Sequence, residues 1–487
     1  MSKSNKWYVM AAVATGLFLA TIDGSIVNVT LPVLVKELNS PFATVQWVVL
    51  AYLLTVTTLL LSIGRLGDMI GKKPLFTVGY VVFTVGSVLC GLSPSVSVLI
   101  ASRVLQAVGA AMIMALSTAI VTEAFPPQER GRALGISGMM VSIGIIAGPT
   151  LGGIIIQSLS WHWIFFVNLP VGIVGTLMVL RFVPHLRPLG RQQFDSPGAI
   201  TLFVSLLAFL IALTLGQDIG FLTAPVLGLL ALWLITLGVF IRIELKSSHP
   251  MVDLSLFRSV LFSINLITGF MTFVAASGIL LLMPFYLENV LQLDPRTTGL
   301  LMAVSPLMVG IIAPFSGSLS DRFGTRPMTA IGLGFILVAY AVISTLTVTT
   351  TPLGYALRYL LMGIGVGMFQ SPNNSAVMGA VPRERLGVAS GLLSITRTLG
   401  QVIGIAILGA LWASQVMLHA DPDLSGGATA APASIQVLAL RETLLYVVAM
   451  MSVALLLSLW ALWKERSVKR VAVDRVINLK HEKVQDL

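Results

Sequence analysis

One cysteine in 487 residues, Cys90, leaves no intrachain disulfide and no thiolate metal cluster. The five histidines, His162, His185, His249, His419 and His481, show no ligand spacing, so no metal site is expected. Charge is scarce too. Asp, Glu, Lys and Arg make up 10% of the chain against 56% hydrophobic residues, a balance that cannot solubilise a globule of this size. No G-x-x-x-x-G-K-[S/T] phosphate cradle or nucleophile elbow occurs, which argues against ATP-driven pumping by this chain and against an enzyme. Residues 8–33 are too long for a signal-peptide core and lack a small-residue cleavage site, so they read as a first span.

The apolar residues fall into blocks of the length a bilayer demands, about 20 residues per helix. Fourteen such blocks are centred near residues 20, 54, 84, 110, 143, 173, 206, 233, 273, 307, 337, 366, 400 and 452. No alternating strand pattern appears, so the chain is expected to be an all-α integral membrane protein. Lys and Arg gather on one side of these spans together with both termini, leaving Lys36, Arg296 and Arg441 on the other. The positive-inside rule then places both termini in the cytoplasm. The same asymmetry accounts for the net charge of +10 without nucleic acid, because every basic cluster flanks a span.

An internal repeat is present. Gly64-Arg-Leu-Gly-Asp-Met-Ile-Gly-Lys-Lys-Pro74 recurs as Gly317-Ser-Leu-Ser-Asp-Arg-Phe-Gly-Thr-Arg-Pro327, 253 residues later. Pro127-Gln-Glu-Arg130 recurs as Pro382-Arg-Glu-Arg385, and Arg103 as Arg358, both at an offset of 255. A constant offset indicates two homologous halves, and in a membrane chain that implies a transporter with its site between them. Two spans in the middle lack the motifs. The expected organisation is a six-helix bundle over 1–181, a linker with two inserted helices over 182–258, a second six-helix bundle over 259–463 and a basic cytoplasmic tail over 464–487. Ser414–Arg441 reads as a long flexible loop on the far side.

Among 20 acidic residues only Asp23 lies well inside a span, about 24 Å along the helix from Trp7 at 1.5 Å per residue; the second half offers no comparably deep acid. An ionised carboxylate at that depth costs a few kcal/mol unless paired, hydrated or protonated. Asp23 is therefore a candidate for proton coupling or attraction of a cationic substrate, against a purely structural hydrogen bond. Arg103 cannot shed its charge and must face polar groups, though nothing in the sequence sets it beside Asp23. Arg358 and Arg397 carry the same ambiguity. Gly144, Gly148, Gly152 and Gly153 present small residues for close helix contact, with Pro149 as a bend. Asn28, Gln46, Asn265, Gln370, Asn373, Asn374 and Gln401 are candidate polar lining of a midplane cavity. Phe273, Tyr286 and Met368 are among the aromatic or soft candidates.

These segments resemble the major facilitator superfamily, and within it the fourteen-helix drug:proton antiporters. Gly64 to Pro74 resembles the loop motif between helices 2 and 3. Leu99 to Gly109 resembles the helix-4 motif with its buried arginine, and Gly144 to Gly153 the helix-5 antiporter motif. Asp23 to Pro32 and Trp161 to Gly172 are similar to the group's helix-1 and helix-6 segments. The resemblance implies the major facilitator fold, two six-helix bundles plus two inserted central helices. It implies a proton role for Arg103 with Asp23, and a conformational latch of Gly64, Arg65, Asp68, Gly71 and Lys72 with Asp321 and Arg322. Gly144, Gly148, Pro149, Gly152 and Gly153 become an antiporter hinge. The function so implied is proton-coupled efflux of amphipathic small molecules across a bacterial cytoplasmic membrane by alternating access, with the proton gradient as energy source and no cofactor. The partners are then the lipid bilayer, protons, a small-molecule substrate and, as a further candidate, a periplasmic adaptor. A dedicated exporter of an endogenous lipid, siderophore or metabolite is the alternative, and a non-transporting scaffold or sensor a third.

Overall fold

The computed structural model describes residues 3–126, 129–184, 196–247, 254–381, 386–420 and 427–485. No strand occurs among them. Backbone amides in lipid must be satisfied within their own segment, which helices do and open strands do not. The helices are α1 (Lys3–Glu37), α2 (Phe42–Ile70), α3 (Lys72–Gly91), α4 (Val96–Ala124), α5 (Arg130–Ser158), α6 (Trp163–Phe166), α7 (Asn168–Phe182) and α8 (Ser196–Ile219). They continue as α9 (Ala224–Lys246), α10 (Val260–Phe285), α11 (Pro295–Phe323), α12 (Thr325–Ile343), α13 (Pro352–Gly379), α14 (Leu386–His419) and α15 (Ala433–Gln485). Helices α6 and α7 cross as one segment, and 13 segments are long and apolar enough to span a membrane. The expected fourteenth span falls on helix α8, whose apolar run over the described residues, Pro197–Leu213, is shorter than the other thirteen.

The far-side segment expected as a loop is mostly helical. Helix α14 continues to His419, a 3₁₀ turn occupies Ala428–Ala430, and α15 starts at Ala433. Alanine and leucine are strong helix formers, and they dominate both flanks of the short connection. Asp421, Pro422, Asp423 and Gly426 lie outside the described residues.

The repeat is visible in the packing as well as in the motifs. Gly71 and Gly324, 253 residues apart, end α2 and α11 with φ of 101° and 91°, a region L side chains rarely adopt. In the first half Ser25 of α1 sits against Gly148 of α5; in the second, Ser277 of α10 sits against Gly404 of α14. This equivalence makes Ala275 the counterpart of Asp23, so the second half carries no acid at that position.

The two halves share one apolar core away from the termini. It runs from Ile26–Leu34 and Phe42–Leu54 across to Ala275–Val290, Val402–Val416 and Ala439–Ala454. Phe42 stacks edge-on against Phe285 at 4.9 Å and Trp412 at 5.3 Å, joining α2, α10 and α14. Toward the termini the core divides. Val9–Ala20, Phe76–Phe83 and Ala107–Ala133 form a cluster of the first half, while Phe262, Leu266, Val377 and Leu392 form another with α9. The bundles are therefore sealed together at the far end and packed separately at the end that bears the termini. Helix α8 contacts both α2 and α14, covering one flank of that seam.

Candidate functional site

Asp23 and Arg103 meet in the interior of the first bundle. Arg103 Nη1 donates to Asp23 Oδ2 at 2.5 Å, and the two side chains are 1% and 0% exposed. Gln106 Nε2 and Asn168 Nδ2 each donate to Asp23 Oδ1 at 2.8 Å. Both amides also donate to Ser87 Oγ, whose hydroxyl donates to the Phe165 carbonyl. Arg103 is held further by the Gln106 Oε1 acceptor at 2.7 Å, the Val48 carbonyl at 3.0 Å and the Tyr52 ring, 4.1 Å from guanidinium carbon to ring centroid. Helices α1, α4 and α7 thus meet at one carboxylate, and α2, α3 and α6 support the residues that bond to it. The carboxylate accepts three N–H groups, one from a charged guanidinium and two from neutral amides. Removing one member of such a pair strands the other's charge in the interior, at a cost of about 3–5 kcal/mol.

The helix spacing explains part of this. Gln106 lies three residues after Arg103 and so shares its face of α4. A Cβ on Gly86 would lie 2.6 Å from the Gln106 backbone, so its absence lets α4 close on α3. Gln106 and Asn168 lie inside the helix-4 and helix-6 motifs, the sequence's signal for them, while Ser87 and Tyr52 belong to no motif.

The α5 glycines divide between two neighbours. Gly144, Gly148 and Gly152 recur every four residues and face α1, where Cβ atoms would collide with Thr21, Ser25 and Ile26. Ser25 Oγ donates to the Gly144 carbonyl at 3.0 Å. Pro149 and Gly153 face the other half. A Cβ on Gly153 would collide with the Pro295 carbonyl, and one on Gly299 with the Pro149 carbonyl. The same motif therefore binds α5 to its own bundle and seals it to α11.

The polar cavity candidates do not all gather. Gln370 and Asn373 line a small cleft between α10 and α13, together with Thr272, Phe273, Ala276, Val366, Phe369 and Asn374. Asn265 lies on α10 below it, buried, with Nδ2 unpartnered. Gln46 instead lies against Gly409 in the far-end seal, with neither amide atom hydrogen-bonded. Asn28 donates to the Gly24 carbonyl in its own helix. Gln401 is partly buried on α14 and does not line the cleft.

At the end bearing the termini, Lys72 pairs with Glu123 of α4, and Lys73 donates to the Leu180 carbonyl of α7. Lys6 pairs with Glu129 at 2.5 Å. These contacts tie the basic loop to its own bundle. Gly64 lies in the last turns of α2, and Arg322 sits 5.5 Å from the Phe323 ring. The side chains of Arg65, Asp68 and Asp321 lie outside the described residues.

Arg358 is a structural clamp, donating to Thr345 Oγ1 and the Gly354 carbonyl. No carboxylate pairs with Arg397 among the described residues. Glu288 lies at a span end, as expected of every acid but Asp23, yet it is buried. A π-helical turn, Tyr286–Val290, continues α10 through it, and its Oε1 has no hydrogen-bond partner.

Residues 13–405 match the family model described as Major Facilitator Superfamily. The chain is 36% identical over 414 residues to the riboflavin transporter RibZ of Clostridioides difficile, covering 84% of this chain and 89% of that protein. It is 34% identical over 430 residues to the multidrug resistance protein Stp of Mycobacterium tuberculosis, covering 86% and 79%. Among solved structures, a bacterial homologue of the human lysosomal transporter Spinster, in an inward-facing and unoccupied conformation, superposes with a TM-score of 0.66. It has 18% identity and covers 95% of this chain and 98% of that one. The POT family transporter PepTSo gives 0.68 with 15% identity, covering 96% and 99%. At these identities the superpositions speak to fold alone.

Proposed function

This chain belongs to the Major Facilitator Superfamily, and from that premise we propose that it exports amphipathic small molecules in exchange for protons. It is a multi-pass membrane transporter and not an enzyme. The observation that carries the finer reading is the Asp23–Arg103 pair, a titratable acid with no exposure to solvent in a bundle otherwise poor in charge. A proton on Asp23 would cancel its charge and weaken its bond to Arg103, which couples the proton's arrival to the packing of α1 against α4. Helix α1 also packs on α5, the helix that seals the far end. Proton uptake and the opening of that seal therefore act on connected elements, as alternating access requires.

The termini are cytoplasmic in this reading, so the sealed far end faces outward and the separately packed end faces the cytoplasm. The membrane is the cytoplasmic membrane, the proton gradient is the energy source, and no cofactor is used. Similarity to the multidrug resistance protein Stp favours broad efflux. Similarity to a riboflavin transporter, together with a cleft free of acidic side chains, favours a second reading: a dedicated carrier of one uncharged metabolite.

The test uses purified protein in liposomes enclosing a pH-sensitive dye. An imposed proton gradient is challenged with lipophilic cations and neutral compounds, for wild type and Asp23→Asn. Substrate-dependent proton flux that vanishes in the variant is the expected result. Flux that survives Asp23→Asn moves coupling elsewhere, and no flux with any compound rejects antiport.

A further inference from the structure

Glu288 is buried at the far end of the molecule without an ion pair. It is 6% exposed, its Oε1 has no hydrogen-bond partner, and no Lys, Arg or His bridges it among the described residues. The turn that carries it, Tyr286–Val290, is π-helical, closed by the Leu291 N–H donating to the Tyr286 carbonyl at 3.1 Å. Such turns are rare and collect at functional sites. Tyr286 anchors this one by donating its hydroxyl to the Thr347 carbonyl at 2.7 Å. Leu287 and Val290 flank Glu288 and belong to the apolar core that joins the two halves. The carboxyl is therefore part of the far-end seal.

Asp23 and Glu288 are held in opposite ways. Asp23 accepts from a guanidinium and two amides, whereas no counter-charge touches Glu288. Two exposed charges act on it from a distance and with opposite sign, Lys36 of α1 and Asp294 at the start of α11. Glu37 and Arg296, next to these in the chain, are also exposed. Helix α15 packs on the same turn and carries Arg441, which is exposed, and Glu442, which bonds His419. Arg358 of α13 is spent on Thr345 and Gly354. Burying an ionised carboxylate among apolar groups without a partner is costly, and a proton removes that cost.

Ala275 is the counterpart of Asp23 in the repeat. Glu288 lies thirteen residues beyond Ala275, about 20 Å nearer the far end at 1.5 Å per residue. Four residues on, Gln292 is exposed, so a proton from the outer solution has little depth to cross once the seal loosens. We propose that Glu288 is a second proton-binding site, on the outer side of Asp23, neutral while the far end is sealed and ionised when that end opens. A proton from outside then favours the sealed state, and its loss favours opening. The inference rests on the antiport reading, which makes the far end the source of the protons.

Infrared spectroscopy of the full chain in lipid nanodiscs reads this proton directly, because a neutral carboxyl has a C=O stretch apart from the amide bands. The wild type in its sealed state should show such a band, and Glu288→Gln should lose it. Glu288→Asp keeps an acid there and should keep a shifted band, so the assignment stands even if Glu288→Gln does not fold, which a thermal-unfolding midpoint checks. Spin labels on cysteines at Leu159 and Leu418, exposed far-end residues of the two bundles, report the seal by their separation. Cys90 is buried and does not compete for label. As pH rises the open-to-sealed ratio should grow, by up to about tenfold per pH unit for one proton, and Glu288→Gln should flatten that response. A sealed wild type without the band, a separation indifferent to pH, or an unchanged response in Glu288→Gln overturns the proposal. The proton-flux assay separates the two readings. Flux that depends on Asp23 with no Glu288 band keeps the antiporter and removes this site; a Glu288 band without flux from any compound keeps the site and removes antiport.

Discussion

Arg103 and Asp23, eighty residues apart in sequence, share an ion pair whose two side chains are all but inaccessible to solvent. The pair is costly to bury and costlier to break. Asp23→Asn is predicted to destabilise the protein by about 3 kcal/mol, because it leaves the guanidinium uncompensated. Asp23→Asn combined with Arg103→Gln recovers most of that loss. Thermal unfolding in detergent checks both. A double variant no more stable than the single one would show that the charge pair is not what holds these helices.

Gly299 is the contact at which α11 touches the Pro149 carbonyl. Gly299→Val is predicted to push the far-end seal apart, since backbone on both sides leaves the new side chain nowhere to go. A cysteine placed at the far end should then label faster with a membrane-impermeant maleimide. Unchanged labelling would mean that the seal does not depend on this approach.

Gln46 is buried in the same seal with both amide atoms unpartnered. Replacing such a group with an apolar one of similar size is neutral or stabilising, by up to about 1–3 kcal/mol. Gln46→Leu should therefore raise the unfolding midpoint and slow turnover, because it favours the state sealed at the far end. A lower midpoint would indicate that Gln46 is satisfied in that state.

Gly71 and Gly324 occupy the same turn of the two repeats, both at positive φ. Alanine at either position is predicted to cost about 1–2 kcal/mol from the left-handed backbone alone. Equal losses at the two sites would confirm an equivalent role. A silent Gly324→Ala would show that the second copy relaxes.

Asp294 caps α11, accepting from the Thr297 N–H at 3.0 Å and its hydroxyl at 2.6 Å. These bonds hold its carboxyl below the usual range. A depressed value in the folded state means that the stabilisation is present above the unfolded carboxylate value and fades as pH falls through the folded one. The midpoint difference between wild type and Asp294→Ala should accordingly hold above about pH 5 and shrink as pH falls through the unfolded carboxylate value of about 4 and past the lower folded one. A difference independent of pH would assign the effect to packing.

The all-helical membrane class, the repeat and the family are legible in the sequence because they rest on composition, period and motif; of the fourteen expected spans, thirteen are long and apolar enough among the described residues. The stripe Gly144, Gly148, Gly152 is also legible, since a spacing of four marks one helix face. Its partners are not, and only the packing shows Pro149 and Gly153 turned toward the other half. Pairing between Asp23 and Arg103 depends on how α1 and α4 approach, which one chain's residue order does not specify. Gln370 and Asn373 reach the cleft, but Gln46 looks identical as a polar residue in a span and serves the seal instead. Burial of Glu288 escapes notice because it needs a π turn to extend α10 beyond its apolar run.

The charged network lies wholly within the first bundle, and the carboxamide cleft wholly within the second. Substitutions at distant sites without shared partners combine nearly additively. Under the proposed antiport, side chains of the second bundle can therefore change while the buried network around Asp23 is left as it is.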